Sequence, residues 1–339
     1  MTTDAMDLLR QDEDLRLYYG GAWQAPKGSA VLEVVDPARA QVIAKVPDAG
    51  EADVAAAMTA AEAGFAAWSG LDRDVRAAAL RRLAAIIAER LGSLAELESA
   101  VTGRPLREMK AQMARIPEWL EYFASISSGF EAESNFVRGN FLTYTHYRPY
   151  GVCALLTPWN HPVLILVKKL GAALAAGNSV VIKPSELAPV SPLLIAAWAS
   201  EAGLPDGVVN VVTGAGATGQ LVCTHPAVQR IDLTGGTATG RKVAAAAGER
   251  LVPCTLELGG KSPVVIFEDV DLDEAVGGAL FAAFVASGQT CVSGSRFLVA
   301  QPIYEAFVER FAARADTLRT RQTRDSASAA GKRIAATPR

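Results

Sequence analysis

Strand-like and helix-like runs alternate after residue 150, and this alternation most constrains the fold of the chain. Short runs rich in Val, Ile and Leu are followed by longer Ala-rich runs of helical periodicity, which predicts a parallel sheet covered by helices. Helices are predicted to begin near Pro162, Ser191, Ala217, Thr237, Leu272 and Ile303. The predicted strands are Val152–Thr157, Ser179–Ile182, Val208–Val212, Arg230–Leu233, Val252–Glu257, Ser262–Phe267 and Arg296–Val299. The expected fold class is therefore α/β, with ligands bound at the carboxyl ends of the strands.

The segments on either side have other patterns. From Glu51 to Ser128 apolar residues recur at three and four positions, which predicts a helical layer broken at Gly70, Gly92 and Gly103. Residues 136–150 alternate aromatic and polar side chains around Gly139-Asn140, which predicts a projecting β-hairpin. Residues 318–339 are rich in basic residues, Ser, Thr and Ala, and we expect this tail to be disordered.

Charge and composition exclude several classes of function. A net charge of −3 gives no basic field for nucleic acid or anionic lipid. The longest apolar stretch, residues 275–286, is too short to span a bilayer, and the first residues lack a signal pattern. The four cysteines and three histidines have no metal-ligand spacing. We therefore expect a cytoplasmic protein without a metal site and with neither nucleic acid nor membrane as a partner.

A carboxylate and a thiol occur on two glycine-containing turns. Glu257 ends a predicted strand before Gly259-Gly260, and Cys291 is predicted to begin a helix, whose dipole would favour the thiolate. A thiolate can attack a carbonyl carbon, and a facing carboxylate can activate the water that releases the acyl group. A buried structural thiol is the alternative for Cys291.

Polar residues also follow two neighbouring strands. Asn160 stands between a strand and a helix, where its amide can donate to an oxyanion or simply cap the helix. Lys183 and Glu186 follow the next strand and can bind a sugar or a phosphate, with a solvated turn as the alternative. Glu186 would repel a 2′-phosphate, which favours NAD over NADP.

Two glycine-rich loops compete for a dinucleotide. The segment Gly214–Gly219 matches GxGxxG after a strand, and Asp232 stands near the acidic position of that fingerprint. The segment Gly235–Gly240 also follows a strand and opens a helix, with amides directed at an anion. These patterns alone leave the choice open.

Five motifs in this order resemble those of the aldehyde dehydrogenase superfamily, over about residues 18–317. They are Thr157-Pro158-Trp159-Asn160, Lys183-Pro184-Ser185-Glu186, Thr234-Gly235-Gly236-Thr237, Glu257-Leu258-Gly259-Gly260-Lys261 and Gly288-Gln289-Thr290-Cys291. The resemblance implies an aldehyde-dehydrogenase-like fold with a Rossmann-type parallel sheet domain, an incomplete α/β catalytic domain and a projecting hairpin. The implied segments are a helical part of the cofactor-binding domain (1–134), an oligomerisation hairpin (135–150), an NAD-binding part (151–256), a partial catalytic domain (257–317) and a non-family tail (318–339).

The resemblance also implies a reaction, the oxidation of an aldehyde to a carboxylic acid with NAD. Cys291 would form the thiohemiacetal and thioester, and Glu257 would be the base for hydrolysis, which disfavours a CoA-acylating enzyme. Asn160 and the backbone N–H of Cys291 would form the oxyanion hole, and Lys169 would relay protons near the base.

The implied cofactor is NAD, with NADP less favoured. Lys183 and Glu186 resemble the adenosine-ribose clamp, and Trp159 would lie beside the cofactor. The loop at Gly235 and Gly236 would lie against the pyrophosphate, whereas Gly216 would pack near adenine.

The chain departs from the family pattern at two places. Family members continue beyond this terminus, so we expect impaired activity, with a catalytically dead remnant that retains at most dinucleotide binding as the alternative. Family members form homodimers or tetramers, and we expect this assembly to be compromised by the missing C-terminal strand. The abrupt change after Thr317 suggests a frameshift. His161 stands where members often have an aromatic residue, and Lys168 stands where several have Trp, so we expect a more polar substrate tunnel.

Overall fold

The structure is a computed structural model and describes residues 16–137, 139 and 141–318. It begins with four strands: β1 (Leu17–Tyr19), β2 (Ala22–Gln24), β3 (Val31–Asp36) and β4 (Gln41–Pro47). The expectation that this part of the chain is helical is therefore wrong before residue 51. β1 and β2 have three residues each, too few to show the alternation by which strands are recognised.

The predicted helical layer follows and contains five helices: α1 (Glu51–Ser69), α2 (Arg73–Glu89), α3 (Leu91–Thr102), α4 (Leu106–Met113) and α5 (Ile116–Gly129). The predicted breaks at Gly70 and Gly103 are confirmed, and Gly103 adopts the left-handed conformation at φ 71°. The break at Gly92 is wrong, because the chain turns at Arg90 instead. Arg90 is held there by two hydrogen bonds from its guanidinium to the carboxylate of Glu201.

The main sheet contains seven strands in the order β11-β10-β7-β8-β9-β1-β2. The first five are parallel, and the short pair β1 and β2 continues the sheet in antiparallel pairing. The remaining strands of this sheet are β7 (Val152–Thr157), β8 (Ser179–Pro184), β9 (Val209–Val211), β10 (Val228–Gly235) and β11 (Cys254–Leu258). The helices between them are α6 (Pro162–Ala175), α7 (Val190–Glu201), α8 (Gly216–Thr224) and α9 (Thr237–Glu249).

Hydrophobic cores lie on both faces of this sheet. In β7, Cys153 and Leu155 belong to the core formed with helices α2 to α7, whereas Val152, Ala154 and Leu156 belong to the core formed with α1, α8 and α9. Burial on both faces explains why the strands read as continuous apolar runs.

The strand order reverses between β7 and β10. From β7 the chain moves outward through β8 and β9, then returns to place β10 on the other side of β7. In open α/β sheets, ligands bind at the carboxyl ends of the strands beside such a reversal.

A smaller α/β unit follows the sheet. Its two parallel strands pair from Ser262 with Gly294 to Ile266 with Val299, and its core contains Ile266, Leu280 and Phe307. The elements are β12 (Ser262–Ile266), α10 (Leu272–Phe284), β13 (Gly294–Val299) and α11 (Tyr304–Asp316).

The predicted hairpin is present as an antiparallel pair, β5 (Ser134–Val137) and β6 (Phe141–Tyr144). Asn140 of its predicted turn lies outside the described residues, as does the predicted tail beyond Leu318. Within the described ranges, no helix has the length and apolarity needed to cross a bilayer.

Candidate active site

The polar motifs lie at one edge of the sheet, where the parallel strands end. Thr234 and Glu257 are paired in β10 and β11, and Thr157 is paired with Pro184 in β7 and β8. Asn160 follows β7, and Gly235 ends β10, the neighbouring strand across the reversal of strand order. The carboxyl edge therefore brings four of the five motifs together beside the position where this fold class binds ligands.

The loop that carries Cys291, residues 285–293, joins α10 to β13. Cys291 lies in a turn closed by a 3.1 Å hydrogen bond from the N–H of Ser293 to the carbonyl of Thr290. The predicted helix at Cys291 is wrong, because only two residues separate it from β13, which begins at Gly294. A helix dipole is therefore not the feature that would activate this thiol.

Two of the other motifs contact this loop. Asn160 donates a 2.7 Å hydrogen bond from Nδ2 to the carbonyl of Gln289. A Cβ placed on Gly260 would lie 3.2 Å from the carbonyl oxygen of Cys291. Both Glu257, in β11, and Cys291, in its turn, are exposed, so the carboxylate and the thiol are both open to solvent.

The four thiols differ in environment. Burial raises the pKa of Cys153 to about 12 and that of Cys223 to about 11, which leaves both as inert thiols at neutral pH. Cys254 and Cys291 are exposed, so the buried-thiol alternative for Cys291 is wrong. Cys254 begins β11 and so lies at the edge of the sheet opposite Glu257. Cys291 is thus the exposed thiol on the side where the motifs meet.

Lys169 of α6 is buried and forms an ion pair with Asp232 of β10. Asp232 is paired with Thr255, and Glu257 lies two residues further along the same strand, on the same face of the sheet. Lys169 therefore lies on the face of the sheet that carries Glu257. Its contact also occupies Asp232, which the GxGxxG fingerprint would have used for a ribose.

The two glycine-rich loops differ in what their amides contact. In the first loop, Asp48 accepts hydrogen bonds at Oδ1 from the N–H of Ala215, 3.0 Å, and from Oγ1 of Thr218, 3.2 Å. A carboxylate in that position would repel a phosphate. In the second loop, Gly236 precedes α9, and among the described residues no side chain caps the first turn of this helix.

Position in the sheet also distinguishes the loops, whereas open space does not. A Cβ on Gly236 would have no heavy atom within 4 Å, and this loop follows β10 at the reversal of strand order. The position of this loop and the uncapped start of α9 favour the Gly235-Gly236 loop for an anion such as a pyrophosphate. Gly216 begins α8, and a Cβ there would also have nothing within 4 Å.

Lys183 and Glu186 form a pair at the end of β8. The ammonium of Lys183 donates a 2.8 Å hydrogen bond to the carbonyl of Gly214 and lies 3.7 Å from the carboxylate of Glu186. Burial lowers the pKa of Lys183. Glu186 is exposed, and Trp159 is partly buried against the core. This ion pair thus lies at the end of β8, two strands away from the second glycine loop.

His161 is buried in a cluster of polar side chains that sequence reasoning missed. Its Nδ1 lies 2.8 Å from a guanidinium nitrogen of Arg104 and 2.7 Å from Nε2 of Gln112. Its Nε2 lies 3.1 Å from Oγ1 of Thr290. Because donors face Nδ1, this nitrogen accepts and Nε2 carries the proton. Both ring nitrogens of His161 are therefore engaged by protein side chains, and the more polar substrate tunnel stays a prediction.

Burial, with Arg104 and Lys168, lowers the pKa of His161 to about 3, so the ring is neutral at physiological pH. Among the described residues, no group of three or more His, Cys, Asp or Glu side chains could hold a metal ion. The site therefore offers a thiol, a carboxylate and amide donors as its chemical groups.

Comparison with known proteins identifies the family. The model of the aldehyde dehydrogenase family matches residues 23–337, a range that includes most of the segment expected to be a non-family tail. A betaine aldehyde dehydrogenase from Vibrio vulnificus (strain YJ016) is 38% identical over 302 residues, covering 89% of this chain and 62% of the relative. The chain thus spans less than two thirds of that relative's length.

Solved structures give the same result. PnpE in complex with nicotinamide adenine dinucleotide is 38% identical, with a TM-score of 0.93 over 95% of this chain and 67% of that one. An NADP-dependent enzyme from E. coli is 33% identical, with a TM-score of 0.92 over 96% of this chain and 68% of that one. These matches confirm the fold that the motifs predicted, and the chain belongs to the aldehyde dehydrogenase family.

Proposed function

We propose that this chain carries the cofactor-binding and nucleophilic parts of an enzyme that oxidises an aldehyde to a carboxylic acid with NAD. The observation that carries the proposal is the contact of Asn160 with the Cys291 loop, 2.7 Å from Nδ2 to the carbonyl of Gln289. Through this contact the amide of Asn160, at the sheet edge, lies against Gln289, which stands two positions before the exposed Cys291 in the sequence. Family membership supports the same chemistry.

Cys291 is the nucleophile in this proposal. Its thiolate adds to the carbonyl carbon of the aldehyde, and the carbonyl oxygen becomes the oxyanion of a thiohemiacetal. The second amide hydrogen of Asn160 and the N–H of Cys291 donate to this oxyanion, which stabilises the charge as it develops. Bound NAD would supply the acceptor for the hydride that leaves the same carbon.

Glu257 completes the reaction by hydrolysis. The thioester left on Cys291 is attacked by a water whose proton passes to Glu257, and collapse of the adduct releases the acid and the thiolate. Lys169, paired with Asp232 on the same face of the sheet, is proposed to hold a proton for exchange with Glu257. The balance is one aldehyde and one water converted to one acid, with a hydride transferred and a proton released.

The residues fit a dinucleotide. The uncapped start of α9 at Gly236 and the open space beside it suit a pyrophosphate. The exposed carboxylate of Glu186 suits ribose hydroxyls and disfavours a 2′-phosphate. Because one solved relative was obtained with NAD and another is NADP-dependent, the preference for NAD rests on Glu186.

The test is NADH formation with betaine aldehyde and with a simple aliphatic aldehyde, for the wild type, Cys291→Ser and Cys254→Ser. Cys254 is the matched control, because it is also exposed but lies at the opposite edge of the sheet. We expect Cys291→Ser to abolish turnover and Cys254→Ser to retain it, while NAD raises the melting temperature of all three proteins. Stabilisation by NAD without turnover in the wild type would contradict the proposal and favour a non-catalytic dinucleotide-binding protein.

A further inference from the structure

We propose that Glu108 is a positioning residue, which with Arg104 fixes the strained turn at Ala286 and Ser287 and so sets the position of Cys291 relative to Asn160. This inference rests on the proposed role of Cys291 as nucleophile. Glu108 and Arg104 belong to α4 and the segment before it, far in sequence from every motif described above.

The turn that precedes Cys291 is strained. Ala286 and Ser287 adopt φ values of 54° and 55°, the left-handed region that residues with a Cβ occupy at a cost. Two consecutive non-glycine residues in this conformation persist only where surrounding contacts hold them. Ala286 is fully buried, so the contacts that hold it come from the protein.

Glu108 supplies one such contact. Its Oε1 accepts a 2.7 Å hydrogen bond from the N–H of Ala286. The same oxygen accepts a 2.7 Å hydrogen bond from the guanidinium of Arg104, whose side chain is 4% exposed. Hydrogen bonds to ionised groups are stronger than neutral ones. A charge-assisted bond therefore acts at the first strained residue of the turn.

Arg104 connects the two sides of the candidate site. One guanidinium nitrogen donates to Gln112, 2.8 Å, and lies 3.4 Å from the backbone carbonyl of Asn160. The other donates to Glu108, which holds Ala286. A single buried cation, Arg104, thus links Asn160, the proposed oxyanion donor, to the start of the Cys291 loop.

The end of the loop is also tethered. His161 contacts Oγ1 of Thr290 at 3.1 Å, and Asn160 donates to the carbonyl of Gln289 at 2.7 Å. With Glu108 at Ala286, the loop is held at its beginning and immediately before Cys291. Glu108 is the one among these contacts that acts on the strained backbone.

Hydrogen exchange measured by mass spectrometry tests the inference, using peptides that include the Ala286 amide. The variants are Glu108→Ala, which removes the acceptor, and Glu108→Gln, which keeps an oxygen for the amide. The control is Glu121→Ala, a half-exposed carboxylate of α5 paired with Arg81 at 3.5 Å. We expect Glu108→Ala to exchange about tenfold faster in residues 285–291, with Glu108→Gln intermediate and Glu121→Ala unchanged.

Turnover gives a second readout. Glu108→Ala is expected to lower kcat while leaving KM for NAD unchanged, and Glu108→Gln is expected to restore part of kcat. Exchange in residues 285–291 that matches the wild type, or that rises equally in α2 and α5, would overturn the inference. Turnover that survives Cys291→Ser would instead defeat the proposed function, and the exchange result would still stand.

Discussion

A methyl group at Gly260 would come into close contact with the Cys291 loop, which makes Gly260→Ala a sensitive test of the site. The added Cβ would lie 3.2 Å from the carbonyl oxygen of Cys291, closer than ordinary van der Waals contact. Gly260 is outside the left-handed region, so alanine can adopt its backbone conformation. The substitution should therefore act through this contact and not through strain at residue 260.

The size of the effect follows from the contact distance. The carbonyl of Cys291 must retreat by a few tenths of an ångström to relieve the contact. A misplacement of about 1 Å can cost roughly a hundredfold in rate, so a shift of a few tenths should cost about two- to tenfold. The loss of rate should appear in kcat and not in KM for NAD, because the added methyl group contacts the Cys291 loop.

Gly259→Ala is the matched control, since a Cβ there would meet nothing within 4 Å. Steady-state NADH formation and melting temperature should be measured for both variants and the wild type. We expect Gly259→Ala to match the wild type and Gly260→Ala to lose turnover at nearly unchanged melting temperature. Equal kcat for the two variants would refute the contact between the Gly260 turn and the Cys291 loop.

Two further predictions concern buried and exposed carboxylates. Burial raises the pKa of Glu98 to about 7 from 4.5, against hydrogen bonds from Ser191 and Val163 and the charge of Arg104. The folded state therefore keeps a proton that the unfolded chain releases, and wild-type stability falls as pH rises from about 4.5 to 7, by about 3 kcal/mol. The free energy of unfolding of Glu98→Gln, measured in urea, should lack this pH-dependent loss. A difference in unfolding free energy between Glu98→Gln and the wild type that stays constant from pH 5 to 8 would contradict the prediction. Glu186→Ser should raise kcat/KM for NADP roughly tenfold, because it removes a negative charge that would repel the 2′-phosphate. Glu118→Ser on α5 serves as the exposed control. An unchanged kcat/KM for NADP in Glu186→Ser would show that Glu186 is not part of the cofactor site.

Buried strands were predictable because their composition is dictated by two covering layers. All six residues of β7 are buried, and its predicted and observed bounds agree at Val152 and Thr157. The short strands β1 and β2 were missed, because three residues carry no usable pattern. The helix predicted at Cys291 was wrong for a related reason. Ala286 and Ser287 adopt the left-handed conformation without being glycines, so the sequence gives no sign of the turn.

The site was predictable only where a motif was local. Asn160 and Cys291 stand in recognisable segments, but the contact between Glu108 and Ala286 spans 178 positions and has no pattern. The competition between glycine loops illustrates the same limit. Topology favours Gly236 over Gly216, because the strand order places Gly236 at the reversal. The sequence of neither loop indicates the strand order.

The most direct test of the central claim is to look for an acyl group on Cys291 in Glu257→Gln. Without the base, the thioester should form and persist when the protein is mixed with aldehyde and NAD. Peptide mass spectrometry should then find the acyl mass on Cys291, only with NAD present, and not on the exposed Cys254. An absent adduct, or one on Cys254 as abundant as on Cys291, would contradict the proposal that this thiol and carboxylate act together on an aldehyde.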